Sequence, residues 1–92
     1  MKKITLHFYN DLGHGWCKVK RSHPVFKDVA HRISPYSYQR GEYVYLEEDC
    51  DFAIFFNHLQ AVGGWKYTFR EHYANKRSRI RSYDNYYYIN ER

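Results

Sequence analysis

Hydrophobic and polar residues alternate at the start of the chain, as they do in a β-strand with one buried face. In KITLHFYN, the residues Ile4, Leu6 and Phe8 occupy every second position, which is the side-chain period of a strand. The glycine-containing stretch 10–15, NDLGHG, predicts a turn, and WCKVK at 16–20 predicts a second short strand. The first twenty residues therefore predict a β-hairpin.

The next segment changes to the spacing of an α-helix. Ser22 is the expected N-cap, and Pro24 suits the first turn, where its missing N–H is not needed. Pro35 is expected to end this helix. The residues at helical spacing between them are Val25 or Phe26, Val29, Ala30 and Ile33.

A second hairpin and a second helix follow. YSYQRGEYVYLEE, residues 36–48, places a glycine turn between two alternating tyrosine-rich stretches. Asp49 or Asp51 is the expected cap of the second helix, and Gly63 and Gly64 are expected to end it. Its buried stripe is predicted to consist of Phe52, Phe55, Phe56 and Leu59.

The clearest alternation in the chain comes next and predicts the last hairpin. Trp65, Tyr67 and Phe69 share one face of a strand, with Lys66, Thr68, Arg70 and His72 on the other. ANKRS is the predicted turn, and RIRSY with the tyrosines after it is the predicted last strand. The order ββαββαββ indicates an α+β fold, a largely antiparallel sheet with two short helices on one face. We expect one domain over residues 1–92, because this length supports one modest core.

Composition adds a hypothesis of binding. The chain has 11 Tyr and 6 Phe among 92 residues, and its net charge is +5. Basic residues dominate both ends, whereas residues 47–71 are acidic. Tyrosine suits half-buried sheet surfaces and interfaces, and a polarised basic surface favours a polyanionic partner. Self-association into a homodimer is the alternative use for exposed tyrosine rings.

The chain lacks the features of a membrane or secreted protein. No apolar run approaches the roughly 20 residues that a membrane span needs, and MKKITLHFYN has no apolar signal-peptide core. We therefore expect a cytoplasmic protein with no membrane partner. Because that compartment is reducing, Cys17 and Cys50 are expected to be free thiols.

Candidate metal and catalytic groups are sparse. His14 and Cys17 have the spacing of two zinc ligands, but a structural zinc site needs four and no second close pair follows. Cys50 lies among carboxylates, which disfavour a reactive thiolate. We expect no metal, no cofactor and no catalytic residue. A small nuclease built on EEDCD and a histidine is the enzymatic alternative.

The acidic cluster has two further interpretations. Acids at a helix N-terminus each stabilise the helix by about 0.3–1 kcal/mol, and this favours a capping role over a magnesium site. The same cluster is also a candidate docking surface for a basic patch on a partner. The residues of that acidic surface are Glu47, Glu48 and Asp49.

The strongest candidate site is the basic segment near the C-terminus. Arg77, Arg79 and Arg81 alternate with other residues, so on a strand their guanidinium groups would project from one face and grip phosphates or carboxylates. Neighbouring tyrosines could stack on bases. The alternative is a solvated sheet face whose cations protect an edge strand. The candidate binding surface comprises Lys66, Arg70, Lys76, Arg77, Arg79, Arg81, Tyr83 and Arg40.

Three segments resemble a family of small proteins encoded by bacteriophages, prophages and plasmids. These segments are GHGWCKV, ISPYSYQRGEYVYLEEDCD and NKRSRIRSYDNY, and together they cover roughly residues 13–86. The resemblance implies an accessory protein of a mobile element in the bacterial cytoplasm. Small proteins of that kind are often inhibitors of host defence, of the anti-CRISPR or anti-restriction type.

Two hypotheses of function follow. In the first, the protein is a non-enzymatic inhibitor that binds a host protein or nucleoprotein complex through its basic, tyrosine-rich surface. In the second, it binds DNA, RNA or a nucleotide directly, as a regulator or a sponge. The salt dependence of binding separates the two, because phosphate contacts make affinity fall steeply with salt.

Overall fold

Six strands and two short helices make up the fold of the computed structural model, which describes residues 2–89. The α+β class and the order ββαββαββ are confirmed. Helix α1 is followed by a 3-10 turn at Ala30–Arg32, and a second 3-10 turn spans Arg79–Ser82. The strands and helices are β1 (Lys2–Asn10), β2 (Gly15–Lys20), α1 (Pro24–Val29), β3 (Tyr38–Arg40), β4 (Tyr43–Glu47), α2 (Asp51–Val62), β5 (Trp65–Tyr73) and β6 (Asp84–Asn85).

The strands form one mixed sheet in the order β5-β1-β2-β4-β3-β6. All neighbouring strands are antiparallel except β1 and β5, which are parallel. Strands β4 and β5 therefore run in the same direction, and α2 is the crossover between them, because a tight turn cannot join parallel strands. Consequently β5 lies at one edge of the sheet and β6 at the other.

The core lies between one face of the sheet and the two helices. Leu6, Val44 and Leu46 on the strands and Phe26 and Phe55 on the helices are almost completely buried. Each such side chain contributes roughly 1.5–3 kcal/mol when it leaves water. The alternation predicted for the first strand is confirmed. Its apolar side chains pack toward the helices, and its polar side chains lie on the opposite face of the sheet.

The helix termini differ from the predicted caps by one or a few residues. His23, not Ser22, caps α1, and its Nδ1 accepts the Val25 N–H at 3.1 Å. For α2 the carboxylate of Glu47 accepts the N–H groups of Asp49, Cys50 and Asp51 at 2.6–2.9 Å. This geometry satisfies the N–H of Asp51, the first residue of α2, and the two N–H groups that precede it. Gly63 and Gly64 follow α2 with positive φ, as predicted.

Asp51 is buried and has a structural role. Its carboxylate accepts the hydroxyl groups of Ser34 and Ser37 at 2.7 Å and 2.6 Å, and also the Ser34 N–H. Ser37 in turn accepts the N–H of Glu47. A buried carboxylate is tolerated only with such partners, so this network fixes α2 to the segment that leads into β3.

The predicted last hairpin is wrong. Arg79–Ser82 form a 3-10 turn, the last strand contains only Asp84–Asn85, and β6 pairs with β3 rather than with β5. The physical reason is Ile80, the one apolar residue between Lys76 and Ser82, which is buried against Trp16 and Tyr45. A turn capped by the Ser78 hydroxyl brings Ile80 into that contact.

Among residues 2–89, no helix is long and apolar enough to span a membrane.

Candidate functional site

The sheet face opposite the helices is divided into two halves. Over β2, β4 and β3, the C-terminal segment covers an aromatic layer, and we call this the covered half. The covered half consists of the buried residues Trp16, Tyr45 and Ile80, and the partly buried rings of Tyr9, Tyr38, Tyr43 and Tyr83 lie at its border. Among residues 2–89 no segment covers the face of β1 and β5, so this half, together with the adjoining end of β2, presents a sheet surface to a ligand.

An ion pair between Asp11 and Arg81 fixes the C-terminal segment to the first hairpin. Arg81 Nε donates to Asp11 Oδ2 at 2.7 Å, and a terminal nitrogen of Arg81 donates to Oδ1 at 2.9 Å. The backbone N–H groups of Ser78, Gly13 and His14 donate to the same carboxylate. The Arg81 guanidinium, with these N–H groups, holds the pKa of Asp11 well below its usual range.

Three of the predicted binding residues, Arg81, Arg40 and Tyr83, therefore make contacts within the covered half. Arg81 is paired with Asp11, and its guanidinium also lies 5.2 Å from the Trp16 ring centroid. The guanidinium of Arg40 lies 5.1 Å from the centroid of Tyr83, a second predicted site residue. These contacts are cation–π interactions within the chain. Arg81 is in addition neutralised by its ion pair with Asp11, whereas Arg40 stays exposed to solvent.

The expected row of three arginines on one strand face is also wrong. Arg77 lies in the segment after β5, whereas Arg79 and Arg81 belong to the 3-10 turn. Lys76, Arg77 and Arg79 remain exposed to solvent. Because β5 and β6 lie at opposite edges of the sheet, Lys66 and Arg70 do not extend the same row.

Lys66 and Arg70 instead join cations that the sequence analysis did not select. The register of β5 with β1 and of β1 with β2 brings alternate side chains of three adjacent strands to one surface. We call this surface the open basic face. It consists of Lys66, Thr68, Arg70 and His72 of β5, Lys3, Thr5 and His7 of β1, and Lys18 and Lys20 of β2.

The open basic face contains five lysine or arginine residues and no carboxylate at the positions that define it. Within residues 2–89 the salt bridges are His58–Asp28 and Arg81–Asp11, and neither involves this face. Lys18 Nζ lies 4.0 Å from the centroid of Tyr43, which flanks the face on β4. Like charges held close together without counter-charges create a positive potential that attracts anions.

Stacked rings lie near the C-terminal end of β1, where His72 of this face meets Tyr9. Tyr9 and His72 are stacked at 4.6 Å with an interplanar angle of 11°. His7 Nδ1 lies 3.0 Å from His72 Nε2, at hydrogen-bond distance. Burial lowers the pKa of His7, and His72, Arg70 and Lys18 lower it further. The lowered pKa favours the neutral form of His7, since protonation would add a charge to an already basic surface.

A shallow cavity of about 610 Å³ adjoins the same face. Its lining includes Lys3, Lys18, Lys20, His23 and Tyr43. The Nε2 atom of His23 is buried and has no hydrogen-bond partner within the described residues. Burial, with the charge of Lys2, lowers the pKa of His23. The cavity therefore combines cations with polar groups at the β2 end of the open basic face.

The acidic cluster is only partly available for docking. Glu47 is half-buried and bonded to the first turn of α2, so its predicted docking role conflicts with its capping contacts. Glu48 and Asp49 are exposed. Together with His14, Trp16, Tyr36 and Arg81 they line a smaller cavity.

The cysteines and histidines do not form a metal site within residues 2–89, where no three His, Cys, Asp or Glu side chains are grouped. Cys17 and Cys50 are both free thiols. Cys17 is buried in the core, and burial raises its pKa to about 12, which keeps it protonated. Cys50 is exposed.

One signal in the sequence could have identified the missed lysines. Lys18 and Lys20 occupy the polar positions of an alternating strand, as Lys3 does in the first strand. Each pattern is ordinary for a solvated strand. That these lysines share one surface with Lys66 and Arg70 follows only from the parallel pairing of β1 with β5.

Comparisons of the chain with protein-family models, with curated proteins and with solved structures give no match.

Proposed function

We propose that this protein binds single-stranded nucleic acid through the open basic face, and that binding rather than catalysis is its activity. The single observation that carries this proposal is the surface itself: five cations on three adjacent strands with no carboxylate among them. Proteins that bind single strands combine such a positive surface with aromatic rings on which bases stack.

The shape of the surface favours a single strand over a duplex. Reading a duplex groove needs a protruding helix or a two-stranded ribbon, whereas the open basic face is the surface of a sheet. Aromatic rings lie at two of its borders, with Tyr43 on one side and the stacked pair of Tyr9 and His72 on the other. Unstacked bases would contact these rings while lysines hold the phosphates.

The resemblance to proteins of mobile elements suggests a biological role for this binding. We propose that the protein acts as an inhibitor of a bacterial host defence complex of the anti-CRISPR or anti-restriction type. It would do so by occupying the nucleic acid of that nucleoprotein complex. A purified defence complex whose target binding is unchanged by excess protein would contradict this role, although nucleic-acid binding itself would stand.

Fluorescence anisotropy of a labelled single-stranded oligonucleotide, titrated at several salt concentrations, tests the binding. The logarithm of the affinity should fall with the logarithm of salt by about 0.7 per phosphate neutralised. Replacing Lys3, Lys18 and Lys20 by alanine should reduce that slope by about 2, because three contacts are lost. Duplex DNA of the same sequence should bind more weakly.

A matched control uses the cations that the sequence analysis favoured. The variant with Lys76, Arg77 and Arg79 replaced by alanine loses the same charge, but from the C-terminal segment. It should keep most of the salt slope. If this variant loses binding and the variant of the open basic face keeps it, the site lies in the C-terminal segment and the assignment to the sheet is wrong.

A further inference from the structure

The outer edge of β5 is long and regular, unlike the opposite edge of the sheet. Strand β5 has nine residues, and its register with β1 is unbroken from Lys2 opposite Trp65 to Asn10 opposite Tyr73. It contains no proline. The opposite edge strand, β6, has only two residues. Proteins normally shorten, bend or cover such edges because their free N–H and C=O groups recruit another strand.

The hydrogen bonds to β1 show which backbone groups of β5 point outward. The Lys2 N–H donates to the Gly64 carbonyl at 3.2 Å, and the Ala74 N–H donates to the Asn10 carbonyl at 2.9 Å. A parallel ladder uses alternate residues of each strand, so the even-numbered residues from Gly64 to Ala74 bond to β1. The backbone groups of the odd-numbered residues are then directed outward, namely those of Trp65, Tyr67, Phe69, Glu71 and Tyr73.

An aromatic patch lies beside this edge on the helix side. Tyr67 and Phe69 pack against Phe56 of α2, with ring centroids 4.9 Å and 5.7 Å apart. Phe69 nevertheless remains 47% exposed and Tyr73 76% exposed. An edge that pairs with one strand only among residues 2–89, and that is flanked by exposed aromatic rings, has the chemistry of a β-strand pairing surface.

We propose that two copies of this chain pair antiparallel along β5, with the two-fold axis at Phe69. In this register Phe69 lies opposite Phe69 of the partner subunit, and Tyr67 lies opposite the partner's Glu71. Trp65 lies opposite the partner's Tyr73. All these are odd-numbered positions, so their outward N–H and C=O groups meet as the hydrogen-bonded pairs of an antiparallel ladder.

The charged side chains that β5 contributes to the open basic face favour this register over the two registers whose axis lies one residue away. An axis at Thr68 would place Lys66 directly opposite Arg70 of the partner subunit, and an axis at Arg70 would place two arginines opposite each other. Like charges in directly opposite positions destabilise a strand pair. With the axis at Phe69, Arg70 lies opposite the partner's Thr68, and Lys66 lies opposite the partner's His72.

The same register makes a distinctive prediction about salt. The two Arg70 side chains become diagonal neighbours, about 7–8 Å apart, so their repulsion is weakened when salt screens it. Dimerisation should tighten as salt is added, whereas binding of nucleic acid should weaken. The pair would also join the two open basic faces into one surface across a twelve-stranded sheet.

Sedimentation of the full chain over a range of protein concentrations, without nucleic acid, tests the dimer directly. We expect a monomer–dimer equilibrium that shifts toward the dimer at higher salt. Phe69→Lys should shift the equilibrium to monomer, because it places two lysines together on the axis. Tyr87→Lys, which changes an exposed tyrosine far from β5, should dimerise as the wild type does. A monomer at every concentration and salt would overturn the proposal.

Cross-linking tests the register and does not depend on the behaviour of the lysine variant. In a Cys50→Ser background, Phe69→Cys should form an intermolecular disulfide under a copper–phenanthroline oxidant. The two Cα atoms would lie about 5.5 Å apart, within the range that a disulfide spans. Tyr67→Cys should not cross-link, because its two Cα atoms would be displaced by about four residues along the strands, or about 14 Å. Equal cross-linking at both positions would overturn the register.

Discussion

The two halves of one sheet face show how the same residue types can serve opposite purposes. In the covered half, Arg81 and Arg40 are held by Asp11 and by the rings of Trp16 and Tyr83. The other half carries the open basic face, and we call it the open half. There Lys66 and Arg70 have no carboxylate partner among the residues that define the face. The availability of a cation, rather than the density of cations in the sequence, therefore marks a candidate binding surface.

Loss of apolar contacts in the covered half should reduce the free energy of unfolding more than any other change considered below. Ile80→Ala should lower the free energy of unfolding by about 2–5 kcal/mol, because Ile80 is 4% exposed and anchors the segment to Trp16 and Tyr45. Urea unfolding followed by tryptophan fluorescence measures this loss. Ile89→Ala, at a residue that is 61% exposed, is the matched control and should change stability by less than about 0.5 kcal/mol. Equal losses would mean that the cover contributes nothing specific.

Low pH should reduce the stability of the covered half, because Asp11 becomes protonated. The pKa of Asp11 is lower in the folded protein than in the unfolded chain, so its stabilising contribution is complete above the unfolded value of 3.8. That contribution is lost as the pH falls from there toward the lower folded pKa. Asp11→Asn should therefore unfold more readily at neutral pH and show a shallower loss of stability below pH ~4.

The control for the acid experiment is Asp28→Asn, at a solvent-exposed carboxylate that contacts His58. Its stability profile below pH ~4 should match that of the wild type. Unchanged acid sensitivity in Asp11→Asn would show that the carboxylate does not hold the C-terminal segment in place.

A smaller effect should appear at the border of the open half. Burial and nearby cations lower the pKa of His7, so a bound polyanion that offsets Arg70 and Lys18 should raise this pKa. NMR titration of the His7 ring with and without a single-stranded oligonucleotide measures the change. His58, which lies beside Asp28 on the helix side, is the internal control. A shift at His58 equal to that at His7 would argue against a specific site.

The smallest expected effect is on the stability of the open half itself. Replacing Lys3 or Lys20 singly by alanine should change the free energy of unfolding by no more than about 0.5 kcal/mol, because within residues 2–89 neither lysine has a salt-bridge partner. Lys18→Ala also loses the cation–π contact with Tyr43 and should cost about 0.5–1 kcal/mol. Thermal unfolding of each variant checks this. A large loss at any of the three would reveal a structural role and weaken the comparison on which the proposed site rests.

Local patterns predicted most of the fold. The alternation of Ile4, Leu6 and Phe8 and the helical spacing of Phe55 and Leu59 predicted elements that the structure contains. The C-terminal segment was predicted wrongly, since Arg77, Arg79 and Arg81 alternate in sequence but do not lie on a strand. A single apolar residue, Ile80, outweighed that alternation because its burial against Trp16 needs a turn.

The candidate site was likewise predicted only in part from the sequence. Lys66 and Arg70 were selected from the sequence, whereas Lys3, Lys18 and Lys20 were not, because each is an ordinary polar residue of its own strand. Arg81 was selected as a ligand-binding residue, yet Asp11, seventy positions away, binds it. No spacing rule connects partners at that separation, since the backbone between them can place them anywhere.

Sequence periodicity alone predicts the strands and helices up to β5, their order and the α+β class, because burial of apolar side chains repeats with the period of each element. The choice of neighbouring strands depends on the tertiary fold: α2 carries the chain across the sheet to pair β5 with β1 and leaves β6 at the other edge. That pairing brings together lysines from three strands and exposes the edge of β5. Contacts between distant residues depend on packing of the whole chain, and local alternation contains no information about them.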